Sequence, residues 1–319
     1  MQKSQALRPL MKWAGGKKKL LKHYKNRLPD YQAIDSFVEP FFGGGALFCD
    51  IVASAPKNRR YVINDNNEEL VSIYLAIRDD CEEFIAHLKP LEAGYLRCAK
   101  RERKKAFYYT IRTQYWGMQL GTVRTAATLY FLLLTSFNGI WQLCKESEGR
   151  FGTPAGRLIY RSVIDEARIR IWSTALQSAT ISATSFERVQ VPAGSFVYCD
   201  PPYRGGHASY GKGFTDADQI RLIQWCDQLA RKGCHVFLAN RDLGDGFFDR
   251  YLPKYCLVSR VSVIYTAGRR KRTASGFEAK PATEILAEFP PRRRRRTSHY
   301  PSRSRSRECH RHGLRNSPR

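Results

Sequence analysis

The stretch Phe37 to Phe48, FVEPFFGGGALF, limits what this chain can fold into more than any other. Phe37 and Val38 close an apolar, β-favouring run, and Glu39 and Pro40 are expected to stop it, since proline has no backbone donor for a ladder. Gly43, Gly44 and Gly45 give a tight loop, and Ala46 to Ile51 has helical character. Strand, glycine loop and helix in that order form the nucleotide-cradling unit of doubly wound α/β sheets, because glycine lets the backbone approach a ligand. The loop is not the dinucleotide G-x-G-x-x-G, which needs a third glycine further on, nor a P-loop, which needs Lys-Ser/Thr after the last glycine. A second strand is expected over Arg59 to Ile63, followed by NDNNEEL. Asp65 stands twenty residues beyond Gly45, the distance at which an acid takes ribose hydroxyls. Asn64 or Asp65 also suits the cap of a helix starting at Glu68. Loop and acid together favour an adenosine-containing ligand other than an ordinary dinucleotide.

Ser195 to Tyr203, SFVYCDPPY, is the second constraint. Phe196 to Cys199 reads as a buried parallel strand, brief, apolar and rich in β-formers. Pro201 and Pro202 end it and leave Asp200 at its carboxyl end, where open α/β sheets bind ligands. A carboxylate, carbonyls without ladder partners and the Tyr203 ring then share one small space, a set able to grip a flat, amino-bearing group. The same residues also fit a plain proline turn with Asp200 as a solvated cap.

Near the N-terminus, LMKWAGGKKKLL places a glycine turn before Lys17, Lys18 and Lys19 at the start of a helix, which offers N–H groups to an anion. Trp13 offers a flat face for a purine, or an anchor to the core. From Leu70 to about Gln177 the pattern is mainly helical, with Ala126 to Leu134 as an apolar core helix. Arg101, Arg103, Lys104, Lys105 and Arg112 are interleaved with Phe107, Tyr108, Tyr109, Tyr115 and Trp116. That suits a DNA-facing surface, with cations for phosphate and rings for bases, or a charged helix laid over an aromatic core. Ser136 to Arg157 lacks periodicity and reads as a ribbon or recognition loop. Beyond Asp200, a helix is expected over Asp216 to Arg231, a buried strand over His235 to Ala239 and an edge strand over Leu257 to Tyr265. A last short apolar piece surrounds Ile285, Leu286 and Phe289.

The net charge of +25 points to a polyanionic partner, nucleic acid first. Pro290 to Arg319 holds eleven arginines and one glutamate, +10 in all, which leaves +15 for the remainder. This Arg- and Pro-rich tail lacks the apolar residues needed to fold and is expected to be disordered. No apolar run approaches a bilayer span of ~18 residues, and no h-region follows the basic N-terminus. The nine cysteines include no C-x-x-C and no zinc-spaced cluster. Cys49, Cys199, Cys226, Cys234 and Cys256 read as buried thiols, which suits a reducing cytoplasm.

KWAGGK, EPFFGGG, the IND acid, FNG and DPPY occur in this order over about Leu10 to Phe289. In these motifs the chain resembles the Dam-type DNA adenine methyltransferases, which methylate adenine N6 from S-adenosyl-L-methionine. The resemblance implies a Rossmann-like SAM-dependent methyltransferase sheet of the α/β class with an inserted helical DNA-recognition domain. Catalytic parts are expected at 1–75 and 176–289, the insertion at 76–175 and the tail at 290–319. Trp13, Lys17, Phe41, Gly43, Gly45, Asp65 and Asp200 match the cofactor-binding positions, and Asp200, Pro201, Pro202 and Tyr203 the catalytic motif. Double-stranded DNA is the expected partner, contacted by Asn138, Gln142, Arg112 and Lys145, with no metal, membrane or obligate protein partner. Family members that read GATC carry arginine four residues after the FNG asparagine. Gln142 stands there instead, and glutamine suits adenine better than guanine.

Overall fold

A computed structural model describes residues 7–13, 24, 26–54, 59–144, 147, 149–157, 162–205, 213–264, 271–273, 276–278 and 281–292. Lys17 and Lys145, the glycine turn at 15 and 16, and the tail from 293 onward lie outside the described residues.

Side chains of a β-strand alternate between its two faces, and here both faces are apolar. β1 (Ser36–Glu39) sends Phe37 to one face and Val38 to the other, and both are fully buried. β4 (Phe196–Cys199) does the same with Phe196 and Tyr198 against Val197 and Cys199. Strands buried on both faces belong inside a parallel sheet with helices on either side. β1 indeed pairs in parallel with both β4 and β2 (Arg60–Asn64). β3 (Ala179–Ser182) extends the sheet beyond β2, and β5 (His235–Asp242) follows β4, both in parallel. The full order is β3-β2-β1-β4-β5-β9-β6, with β6 at Leu257–Ile264 and β9 at Pro281–Phe289. β7 (Lys271–Thr273) and β8 (Gly276–Glu278) form a separate antiparallel pair.

This is the Rossmann-like sheet expected. The strand order reverses between β1 and β4, so the crevice at their carboxyl ends is the ligand position of a doubly wound sheet. Two readings need correction. Glu39 does not stop β1 but is its last residue, in register with Ile63. The apolar piece around Ile285 is a nine-residue strand, buried between β5 and β6 and antiparallel to both. Its burial explains why β6, as expected, is an edge, leaving Leu257 52% exposed.

The helices are α1 (Ala46–Ser54), α2 (Glu68–Asp79), α3 (Cys81–Arg97), α4 (Arg101–Trp116), α5 (Val123–Thr135), α6 (Glu166–Leu176), α7 (Asp216–Arg231) and α8 (Phe247–Tyr251). Residues 75 and 76, the boundary read from sequence, are consecutive positions within α2. One apolar cluster runs from Phe37 and Phe196 in the sheet through Phe48 and Trp172 to Tyr95, Tyr108 and Phe131 in the helices. In α6, Trp172 packs its ring on Phe42, Phe48 and Tyr74. The second face of the sheet is closed by α7, through Leu222, Cys226 and Leu229. Among the described residues, no helix is long and apolar enough to cross a membrane. Cys49, Cys199, Cys226 and Cys234 are buried, and Cys256 is half-buried.

α4 separates what the sequence interleaves. Tyr108, Ile111 and Tyr115, spaced by three and four, face the core, while Arg101, Arg103 and Lys105 are exposed on the other side. The aromatic rings at 108 and 115 are therefore core residues and do not share the basic surface.

Candidate active site

Between β1 and α1 the chain makes its glycine turn, with φ of 50° at Gly43 and 63° at Gly45. Such values favour glycine, and a second constraint acts at the same place. A Cβ on Gly43 would lie 2.8 Å from Trp13 Nε1, and one on Gly44 would lie 2.9 Å from Trp13 Cβ. The glycines thus admit the Trp13 ring onto the loop. Asp65, just past β2, accepts from Gly43 N at 2.9 Å and from Asn67 N at 3.0 Å, so it pins the loop from below. Burial raises its pKa above the ordinary carboxylate value, against the pull of those two bonds. The α2 cap is Asn67, whose side chain accepts from Leu70 N; neither Asn64 nor Asp65 has that task. Asn64 instead ties Pro40 O to Thr184 O, at 3.0 and 2.9 Å.

Asp200 leaves the sheet at the end of β4, and the residues after it are held on several sides. Pro202 O accepts from Gln219 Nε2 at 2.9 Å, and Gln219 Oε1 accepts from Asn240 Nδ2 at 2.9 Å. Tyr203 donates its hydroxyl to Glu284 Oε2 at 2.6 Å. Arg204 lies over the Phe247 ring at 3.8 Å and forks onto Asp216 and Asp245. These bonds fix the turn and leave Asp200 and Pro201 lining a cavity of about 1140 Å³. Trp13, Phe41, Gly43, Gly45 and Asp65 line the same cavity, with Phe41 packed against Phe186 and Phe214 at 5.6 and 5.8 Å. The fold therefore gathers every described residue matched to the cofactor and catalytic positions around one space.

The segment after α5 is the ribbon the sequence suggested, with antiparallel bridges Ser136–Ala155 and Leu143–Phe151. Asn138, at φ 56°, is the one non-glycine of positive φ among the described residues. Gly139 beside it packs so closely on Lys12 O that a side chain has no room. Trp141 meets Trp13 at 5.8 Å and lines the cavity. Ribbon and N-terminal motif thus share one wall. The Asn138 and Gln142 side chains are exposed. Arg112 lies between the Tyr109 and Trp116 rings and donates to Gly152 O at 2.8 Å, so it braces the ribbon against α4.

Residues the sequence reading passed over complete the site. Glu39, 4% exposed, lines the cavity floor. Burial, and then the charge of Asp200, push its carboxyl well above the usual range. Its only sequence signal is a carboxylate inside an otherwise apolar strand. Glu284 is 1% exposed, and Glu69 joins Arg150 of the ribbon at 3.3 Å while accepting from the Tyr115 hydroxyl.

Residues 13–270 match the family model of the D12 class N6 adenine-specific DNA methyltransferases. The chain is 32% identical over 247 residues to the Type II methyltransferase M.MjaIII of Methanocaldococcus jannaschii, covering 73% of this chain and 84% of the relative. It is 32% identical over 284 residues to the Retron Ec67 DNA adenine methylase of Escherichia coli, covering 87% and 90%. Against the DNA adenine methylase of Escherichia coli K12 it is 28% identical over 295 residues, covering 89% and 96%. Among solved structures, a SAM-dependent O-methyltransferase from Thermotoga maritima aligns with 87% of this chain and 67% of its own, at a TM-score of 0.36 and 11% identity. With its family model matched over most of its length, the chain belongs to the D12 class of N6 adenine-specific DNA methyltransferases.

Proposed function

We propose that the chain methylates N6 of an adenine turned out of duplex DNA, with S-adenosyl-L-methionine as the donor. The observation that carries this reading is the convergence of Asp200, Pro201, the glycine loop, Asp65 and the ribbon on one cavity of about 1140 Å³. Ligand pockets commonly run to about 300–1,000 Å³, so cofactor and base fit together. The residues also suit the cofactor's chemistry. The cavity has aromatic walls at Trp13 and Phe41, a glycine turn for close approach and a buried carboxylate floor. When bound, S-adenosyl-L-methionine supplies an electrophilic methyl group.

The chain's own residues do the rest. Trp13, Phe41, Gly43, Gly45 and Asp65 hold and orient the cofactor, with Lys17 as a further contact. A base inside a duplex is out of reach, so the adenine must leave its stack. Asp200 and the Pro201 carbonyl accept the N6 hydrogens and aim the nitrogen lone pair, while Tyr203 lies against the base. The gain comes from positioning and fixed dipoles in a dry pocket. Asn138, Gln142 and Lys145 on the ribbon meet the DNA, and Gln142 directs recognition away from a GATC-type guanine contact. Residues 1–75 and 176–289 act as the catalytic part and 76–175 as the recognition part.

Asp200→Ala tests the assignment. Transfer of labelled methyl to DNA should fall by about 100-fold or more, the scale on which single preorganised polar groups act, with the fold unchanged by circular dichroism. Undiminished transfer would sink it. Sequencing DNA methylated by the wild-type protein then gives the modified base and its context.

A further inference from the structure

Two buried polar atoms on the cavity floor, Glu39 Oε2 and the Tyr198 hydroxyl, have no hydrogen-bond partner among the described residues. Both residues line the cavity, and they are 4% and 1% exposed. Orphaned polar atoms in a native interior are uncommon and call for an explanation, one being a ligand that satisfies them. The strands place them side by side. Val38 pairs with Val197, so Glu39 and Tyr198 are the next residues on adjacent strands, and Asp200 lies just beyond.

The surroundings say which ligand charge is wanted. Among the described residues, the titratable groups around Glu39 are Asp200 and Tyr198 from β4, Asp65 from the end of β2, Cys49 of α1, Tyr74 of α2 and Tyr31 of the 3-10 turn Tyr31–Ala33. Every one is an acid or an ordinarily neutral group, and none brings a positive charge. A buried carboxyl among acids is stable as the neutral acid, and an arriving cation reverses that preference.

We propose that Glu39 is a further cofactor-binding residue, whose carboxyl releases its proton to solvent as the cationic methyl donor binds and regains one when the uncharged thioether product is left. This rests on the reading of the cavity as an S-adenosyl-L-methionine site. Donor and product share adenine, ribose and amino acid and differ in one positive charge at sulfur. A floor that ionises in answer to that charge favours the donor and speeds product release. The sign of the pH effect follows. Burial raises the Glu39 carboxyl well above its ordinary value of 4.5 and an arriving cation lowers it, so donor affinity rises with pH where Glu39 titrates, by up to about tenfold per unit for one proton.

Calorimetric titration at pH 7 in phosphate and in Tris, buffers of different ionisation heat, counts the protons exchanged. The wild-type protein should release more protons on binding S-adenosyl-L-methionine than on binding S-adenosyl-L-homocysteine. Glu39→Gln, nearly isosteric and unable to titrate, should abolish the difference and narrow the preference for donor over product by about tenfold. Equal proton release for the two ligands in the wild type overturns the proposal even if the variant fails to fold. So does a variant that keeps the proton release or weakens both ligands alike. If neither ligand binds, the methyltransferase cavity itself is misread; if the donor binds without proton release, only the role of Glu39 falls.

Discussion

At the scale of single residues, what the sequence reveals is what local chemistry forces. Two prolines must end β4, so Asp200 at a strand end is legible from nine letters. Burial is different, because it depends on strands that arrive from elsewhere. Glu284 looks like one acid in a tail of mixed residues until β9 sets it against Tyr203, 81 positions away in sequence. The Tyr203–Glu284 bond makes a separable prediction. Tyr203→Phe keeps a ring for the base but withdraws a donor from a carboxylate that is 1% exposed. A buried acceptor deprived of a donor costs about 1–3 kcal/mol, which should lower the melting temperature by several degrees while most methyl transfer survives. Tyr203→Ala should lose both stability and transfer. An unchanged melting temperature in Tyr203→Phe would show that the hydroxyl does not matter to the fold.

Elements were legible where a period or a breaker marks them, and less so where several elements meet. The β1–loop–α1 unit was plain from its glycines, yet Gly43 and Gly44 lie against Trp13, which no spacing rule places there. The mixed helix α4 was less legible at Arg112, because a cation beside aromatic residues reads the same whether it faces solvent or a neighbouring ribbon. What ties the ribbon down is a second arginine. Arg150 donates to Trp116 O and Met118 O at 2.9 and 2.8 Å, stacks on Tyr115 at 4.3 Å and pairs with Glu69 at the start of α2. Since α2 follows Asp65 directly, Arg150 links the recognition ribbon to the loop around the cofactor. Arg150→Met keeps much of the stacking surface and removes the donors. It should raise KM for DNA by about tenfold, the scale of one lost charged hydrogen bond, with cofactor affinity nearly unchanged in calorimetry. A rise in the cofactor dissociation constant with DNA KM untouched would place Arg150 on the other side of the site.

For the whole molecule, charge rather than topology governs how DNA is met. The continuous core makes sheet and helices one packed body, so association should be controlled by the field of +25 charges. The structure also says where that charge can be trimmed. Arg292 belongs to the fold, since its amide donates to Ala230 O at 2.9 Å and its guanidinium lies over Tyr255 at 4.8 Å. Residues 293–319 carry ten arginines and one glutamate, a net +9. Each phosphate neutralised on duplex DNA adds about 0.9 to the steepness of log affinity against log salt. Truncation after Arg292 should therefore leave the melting temperature, and methyl transfer at saturating DNA, unchanged. It should also flatten the salt dependence by several units and so weaken binding most at low ionic strength. Binding isotherms of both forms on one duplex between about 50 and 200 mM salt, the range where such slopes are read, decide the matter. Parallel lines would mean that the +16 of the remaining chain alone sets the contact with DNA.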